Sequence, residues 1–124
     1  MLEQRGERLH GRRLLVVEDE YLVAMDLAAA LRDRGAEVIG PVGSVSDALA
    51  LLAATADIDG AVLDINLRGQ NVFPIADALR HRGVPFVFAT GYDPWTIPDS
   101  YADVPRLQKP VNTQALARAV AKAV

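Results

Sequence analysis
The sequence predicts a doubly wound α/β domain, a parallel sheet of five strands with helices on both faces. Short apolar runs alternate five times with stretches of helical periodicity. The runs are continuous, as in strands buried on both faces. Parallel neighbours in such a series need crossovers, and the crossover helices cover the sheet. At 124 residues, 51 % of them hydrophobic and 23 % charged, the chain has the size of one domain with a substantial core.

Leu14-Leu15-Val16-Val17 is the first strand, and it ends abruptly in Glu18-Asp19-Glu20. From 21 to 34, Leu22, Met25 and Ala29, with Val23, Leu27 and Leu31 beside them, recur at three- and four-residue intervals, and Gly35 stops this first helix. Residues 36–42 form a short strand whose Pro41 places it at a sheet edge or bulge. Ser44 or Ser46 caps a second helix through Ala48, Leu49 and Leu52. Asp59-Gly60 breaks the chain before the third strand, Ala61-Val62-Leu63-Asp64-Ile65, and Gly69 falls in the loop after it. Val72, Ile75, Ala76 and Leu79 mark one face of a third helix, with Pro74 in its first turn and Gly83 at its end. The fourth strand is Val84-Pro85-Phe86-Val87-Phe88-Ala89. Alternation puts a fourth helix at 93–103, where Pro94 and Pro98 make it short or irregular. Residues 104–107 make a brief fifth strand, and 113–124 an Ala-rich amphipathic last helix. Residues 1–12 read as a frayed N-terminal extension to a domain of residues 13–124, with an ordered first helix or interaction arm as the alternative.

Thirteen basic against sixteen acidic residues give a net charge of −3, which offers no electrostatic footprint for nucleic acid or an anionic membrane. No cysteine is present, which excludes disulfides and thiolate metal sites. No apolar run approaches the roughly 20 residues that span a bilayer, and the polar, basic start has no signal core. A cytoplasmic protein is expected, acting without an attached effector.

Ligand sites of open α/β sheets lie outside the carboxyl ends of the strands, and Glu18, Asp19 and Asp64 all fall there. Taken singly, each acid serves equally well as a loop start or a helix cap; the trio in register with the strands points to a site. Three converging carboxylates repel one another unless a cation joins them, and hard oxygen donors suit Mg²⁺ (or Mn²⁺). Thr90 directly follows the fourth strand and Lys109-Pro110 the fifth. They would supply the neutral donor and the fixed positive charge that a phosphoryl group on Asp64 needs.

In these residues the chain resembles the receiver domain of two-component response regulators, from Arg13 to the C-terminus. The resemblance implies a flavodoxin-like strand order of 2-1-3-4-5 and a role as a phosphoacceptor signalling protein rather than an enzyme. Glu18 and Asp19 match the family's acidic pair, Asp64 its phosphoacceptor, Thr90 its switch hydroxyl and Lys109 its lysine, with Lys109-Pro110 expected to be cis. The metal would be held by Asp19, Asp64 and the backbone carbonyl of Asn66, and Glu18 would hold a metal-bound water. Pro85-Phe86-Val87-Phe88-Ala89-Thr90-Gly91-Tyr92 resembles the PFxFATGY signature of a stand-alone subclass. That subclass works with sensor histidine kinases of the HWE or HisKA2 types, and its output here would be contact with an unknown downstream protein.

Arg106 stands three residues before Lys109, where ordinary receivers carry an aromatic switch residue. Small Gly91 leaves room for the phosphoryl group, and Tyr92 either shields it, replaces the missing aromatic or simply packs a loop. The segment 91–106 is the expected moving part. Two other classes compete. A pseudo-receiver would bind a partner without phosphorylation, but such modules usually lose one of these residues. An aspartate-nucleophile phosphohydrolase would need a second Asp where Asn66 stands. Dinucleotide and nucleotide loops are absent after strand one, and His10 and His81 read as solvated.

Overall fold
Each apolar run becomes a strand. The computed structural model describes residues 9–91 and 97–124. In chain order the elements are β1 (Arg13–Val17), α1 (Tyr21–Asp33), β2 (Glu37–Val42), α2 (Val45–Ala54), β3 (Gly60–Asp64), two-residue strands β4 (Asn66–Leu67) and β5 (Gln70–Asn71), α3 (Phe73–His81), β6 (Phe86–Thr90), a 3₁₀ turn (Asp99–Tyr101), β7 (Arg106–Gln108) and α4 (Thr113–Ala123). Five of the strands make one parallel sheet in the order β2-β1-β3-β6-β7. With the small β4–β5 hairpin left out of the count, this is the expected 2-1-3-4-5 order.

Successive side chains of a strand point to opposite faces, so the sheet has two cores. Leu14 and Val16, with Val62 and Val87, pack with Leu27 and Leu31 of α1 and Leu116 and Val120 of α4. Leu15, Val17, Leu63, Phe86 and Phe88 pack on the other side with Ala48 and Leu52 of α2 and Ile75 and Leu79 of α3. Full burial of side chains of this size stabilises by about 1.5–3 kcal/mol each relative to exposure. Strands buried on both faces therefore need no polar alternation.

Of the two candidate caps for α2, Ser44 serves: its Oγ accepts from Asp47 N at 3.1 Å. Pro74 lies in the first turn of α3, as expected. Pro41 satisfies both its expectations, since β2 is an edge strand and its register with β1 shifts between Leu15 and Val17. The Gly40-Pro41 and Lys109-Pro110 bonds are both cis.

The expectation of a frayed extension through residue 12 does not hold for residues 9–12. Leu9 is 1 % exposed and joins the core beneath α1 and α4. Leu9 N donates to Arg34 O at 2.9 Å and Gly11 N to Gly35 O at 3.0 Å, so this short segment straps the end of α1. Gly35 permits the approach: its φ is 93°, and a Cβ there would lie 2.9 Å from the His10 backbone.

The short, irregular helix expected at 93–103 is, in the described part of that stretch, a single 3₁₀ turn. Tyr101 of this turn is buried, stacked on Phe73 at 5.5 Å and edge-on to Phe88 at 5.9 Å, and its hydroxyl donates to Asp77. Val104 is buried beside it.

Candidate functional site
Strand register positions the site. Val17 pairs with Leu63 and Asp64 with Ala89, so Glu18, just past β1, and Asp64, the last residue of β3, leave the sheet side by side. Thr90 pairs with Gln108 one step farther on, and Lys109 follows. Lys109 N donates to Thr90 O at 2.7 Å, joining the ends of β6 and β7. Glu18 and Asp64 are each 3 % exposed, the buried charged residues among those described.

Glu18, Asp19 and Asp64 each offer a carboxylate oxygen within 4.8 Å of the other two. Lys109 Nζ lies 3.1 Å from Asp64 Oδ2, 3.1 Å from Glu18 Oε1 and 3.8 Å from Glu20 Oε1. The contact with Glu18 lacks hydrogen-bond geometry, so the buried Oε1 has an ionic partner and no directed donor. Glu18 Oε2 accepts from Glu20 N at 3.0 Å, and Asp64 Oδ1 from Asn66 N at 3.2 Å.

Burial, and then the charge of Glu18, push the Asp64 carboxyl from 3.8 up to about 7 against the pull of Lys109. Burial works to lower the Lys109 pKa, but its contacts with Asp64 and Glu18 prevail and hold it above its ordinary value. One ammonium thus faces more carboxylate than it neutralises. Hard oxygens converging on a shortage of positive charge fit a small divalent cation such as Mg²⁺.

After β3 the chain turns through the β4–β5 hairpin. Antiparallel pairs alternate between bonded and non-bonded, and Val72 N donates to Ile65 O at 3.2 Å. The next pair inward, Asn66 with Asn71, is therefore non-bonded, and the Asn66 carbonyl turns away from its hairpin partner. Asn66 Oδ1 accepts from Gly69 N at 2.8 Å, tying the turn together. The tip carries Arg68, whose Nε lies 3.4 Å from Asp19 Oδ2.

Asp19, Glu20, Asp64, Asn66, Arg68, Gly91 and Lys109 line one open cavity of about 380 Å³. The cavity thus brings together Asp19, Asp64, Asn66, Gly91 and Lys109 named from sequence, with Glu18 buried beside Asp19 and Asp64 but not on its lining. Thr90 stands at the adjoining strand end but does not line the cavity. Arg106 is exposed at the start of β7, away from it. Tyr92 lies outside the described residues. Sequence reasoning missed Arg68, whose only signal was the Arg68-Gly69 pair in a loop.

Fold and site together define a receiver domain, and the chain belongs to the response regulator receivers of two-component signalling. No family model matches it. Among particular relatives, SdrG from Sphingomonas melonis Fr1 is 41 % identical, with 88 % of this chain and 92 % of that one covered at a TM-score of 0.78. A response regulator receiver protein from Sinorhizobium medicae WSM419 is 27 % identical, with 93 % and 95 % covered, also at a TM-score of 0.78. The transcriptional regulatory protein PdtaR of Mycobacterium tuberculosis is 33 % identical over 82 residues, which is 65 % of this chain and 40 % of that protein. The chain thus spans less than half the length of that curated relative. Among the described residues no helix is long and apolar enough to cross a membrane.

Proposed function
We propose that the chain accepts a phosphoryl group from the phosphohistidine of a sensor histidine kinase onto Asp64, and signals by phosphorylation-dependent contact with another protein. The observation that carries this reading is Asp64 itself, buried at a strand end with Lys109 Nζ 3.1 Å from its Oδ2 and two further carboxylates beside it. A carboxylate kept short of compensating charge is a nucleophile in need of an electrophile and a cation.

Asp19, Asp64 and the Asn66 backbone carbonyl would hold Mg²⁺ or Mn²⁺, with Glu18 holding a water of the site. A cation bound there would offset negative charge on the transferring phosphoryl oxygens. An Asp64 carboxylate oxygen bonds to phosphorus as the P–N bond to the kinase imidazole breaks, and the imidazole leaves with the electron pair. Lys109 pairs with one phosphoryl oxygen, Thr90 donates its hydroxyl to another, and Gly91 leaves space between them. The protein supplies position and charge rather than acid–base chemistry, as phosphoryl transfer generally requires.

Tyr21 and Leu22 are 73 % and 75 % exposed at the start of α1, beside the acidic loop. They provide an apolar surface at the site's edge on which a kinase domain would seat. The match of residues 85–92 to the PFxFATGY signature supports the subclass and an HWE- or HisKA2-type kinase; a net charge of −3 argues against nucleic acid or an anionic membrane as partner, and the setting inferred is the cytoplasm. Transfer from a radiolabelled phosphorylated kinase should label the native chain and leave Asp64→Asn unlabelled. Equal labelling of that variant would place the acceptor elsewhere.

A further inference from the structure
The tip of the β4–β5 hairpin holds Arg68 at φ 52° and Gly69 at φ 83°. Positive φ at both central residues is the mark of a type I′ turn. Gly69 adopts it freely. Arg68 is the one non-glycine residue with positive φ among the described residues, a conformation that disfavours most side chains by about 1–2 kcal/mol. Asn or Gly would make the same turn more cheaply, so the position carries a long cation against local preference.

That cation reaches the site. Its side chain is 80 % exposed, yet its Nε lies 3.4 Å from Oδ2 of Asp19, whose side chain is 14 % exposed. Lys109 takes the inner acids Glu18 and Asp64, and Arg68 takes the outer one. The outer carboxylate is also one that the cation of the proposed function needs, and Asp19 Oδ2 cannot serve both fully. A largely exposed pair is weak, so the guanidinium is an easily displaced occupant.

We propose that Arg68 is an exchangeable counter-ion of Asp19: a divalent cation displaces it, and the released guanidinium then receives the incoming phosphoryl donor at the cavity rim. This rests on the reading of Asp64 as phosphoacceptor. The planar fork of guanidinium donors suits a phosphoryl dianion, and Arg68 already lines the same cavity as Asp64. Arg68 is a positioning residue: Lys109 meets the group once it is on Asp64, whereas Arg68 meets it on arrival.

The test uses the full chain with Arg68→Asn, which removes the charge and keeps a residue tolerant of left-handed backbone, and Arg68→Lys, which keeps the charge without the fork. Mn²⁺ affinity is read by electron paramagnetic resonance. Phosphorylation by phosphoramidate is followed by intact mass at saturating Mg²⁺. Arg68→Asn should bind Mn²⁺ about two- to fivefold more tightly, the effect of losing a weak competing pair. It should also raise KM for phosphoramidate about threefold or more, with Arg68→Lys between it and the native chain. Native Mn²⁺ affinity in Arg68→Asn, or an unchanged KM, overturns the proposal while leaving Asp64 as phosphoacceptor intact. If instead the native chain takes no phosphoryl group, or Asp19→Asn binds Mn²⁺ as the native chain does, the reading of the site itself falls and takes this role with it.

Discussion
Asp64, pushed up to about 7 by burial and by Glu18, carries a consequence for stability. Its folded pKa lies above the unfolded value of 3.8, so the folded state binds the proton more tightly. The contribution is fully present below about pH 4 and is lost as pH rises through 7. Ionised Asp64 is therefore a destabilising group at neutral pH in the absence of metal. Asp64→Asn should match the native chain at pH 4 and exceed it by about 1–3 kcal/mol at pH 8 in metal-free buffer, the range set by a shift of this size reduced by the lost contact with Lys109. Urea titrations at the two pH values measure the difference. A variant less stable than the native chain at pH 8 would mean that Asp64 is held by Lys109 more strongly than burial opposes it. Asp64, Glu18, Asp19 and Lys109 were legible in the sequence because strand ends are easy to find and charges there stand out. Arg68 was not, because its importance depends on a two-residue turn that swings it back toward Asp19.

At the level of elements, the apolar runs announced the five sheet strands and the periodic stretches announced α1, α2, α3 and α4. The β4–β5 hairpin was invisible, since two residues per strand are too few to show a period. Leu9 was equally hidden, a single apolar residue in a polar stretch that becomes core only because Gly35 lets the strap approach. Tyr101 and Val104 show how 97–104 is held without a regular α-helix: after Pro98 the chain makes one 3₁₀ turn, and two buried anchors tie it to Phe73, Phe88 and Asp77.

Arg82, at the end of α3, illustrates how helices hold one another. It donates to Leu52 O at 2.5 Å, Thr55 O at 2.8 Å and Ala56 O at 2.6 Å, adding a charged donor to the carbonyls at and just beyond the end of α2. Arg82→Ala should lower stability by about 1–2 kcal/mol, since bonds to charged donors are strong but these are partly solvated. The readout is a shift of the urea midpoint without a change in slope. An unmoved midpoint would show that water replaces the guanidinium at no cost.

For the whole molecule, the strand order could not be read from periodicity; it followed from the resemblance and is now visible as β2-β1-β3-β6-β7. That order places β1 and β3 side by side at the centre of the sheet, and with them the two buried acids. The apolar cores on both faces hold those strand ends in register, and the loops beyond them bring Asp19, Asn66 and Arg68 to one cavity. The central claim is that this arrangement makes Asp64 a metal-dependent phosphoacceptor. Borohydride tests it most directly, because it reduces an aspartyl phosphate to homoserine and leaves free carboxylates alone. The native chain, treated with phosphoramidate and Mg²⁺, reduced and mapped by peptide mass spectrometry, should carry homoserine at position 64 and should lose it when Mg²⁺ is chelated beforehand. Homoserine at another acid, or at position 64 regardless of Mg²⁺, would contradict the account.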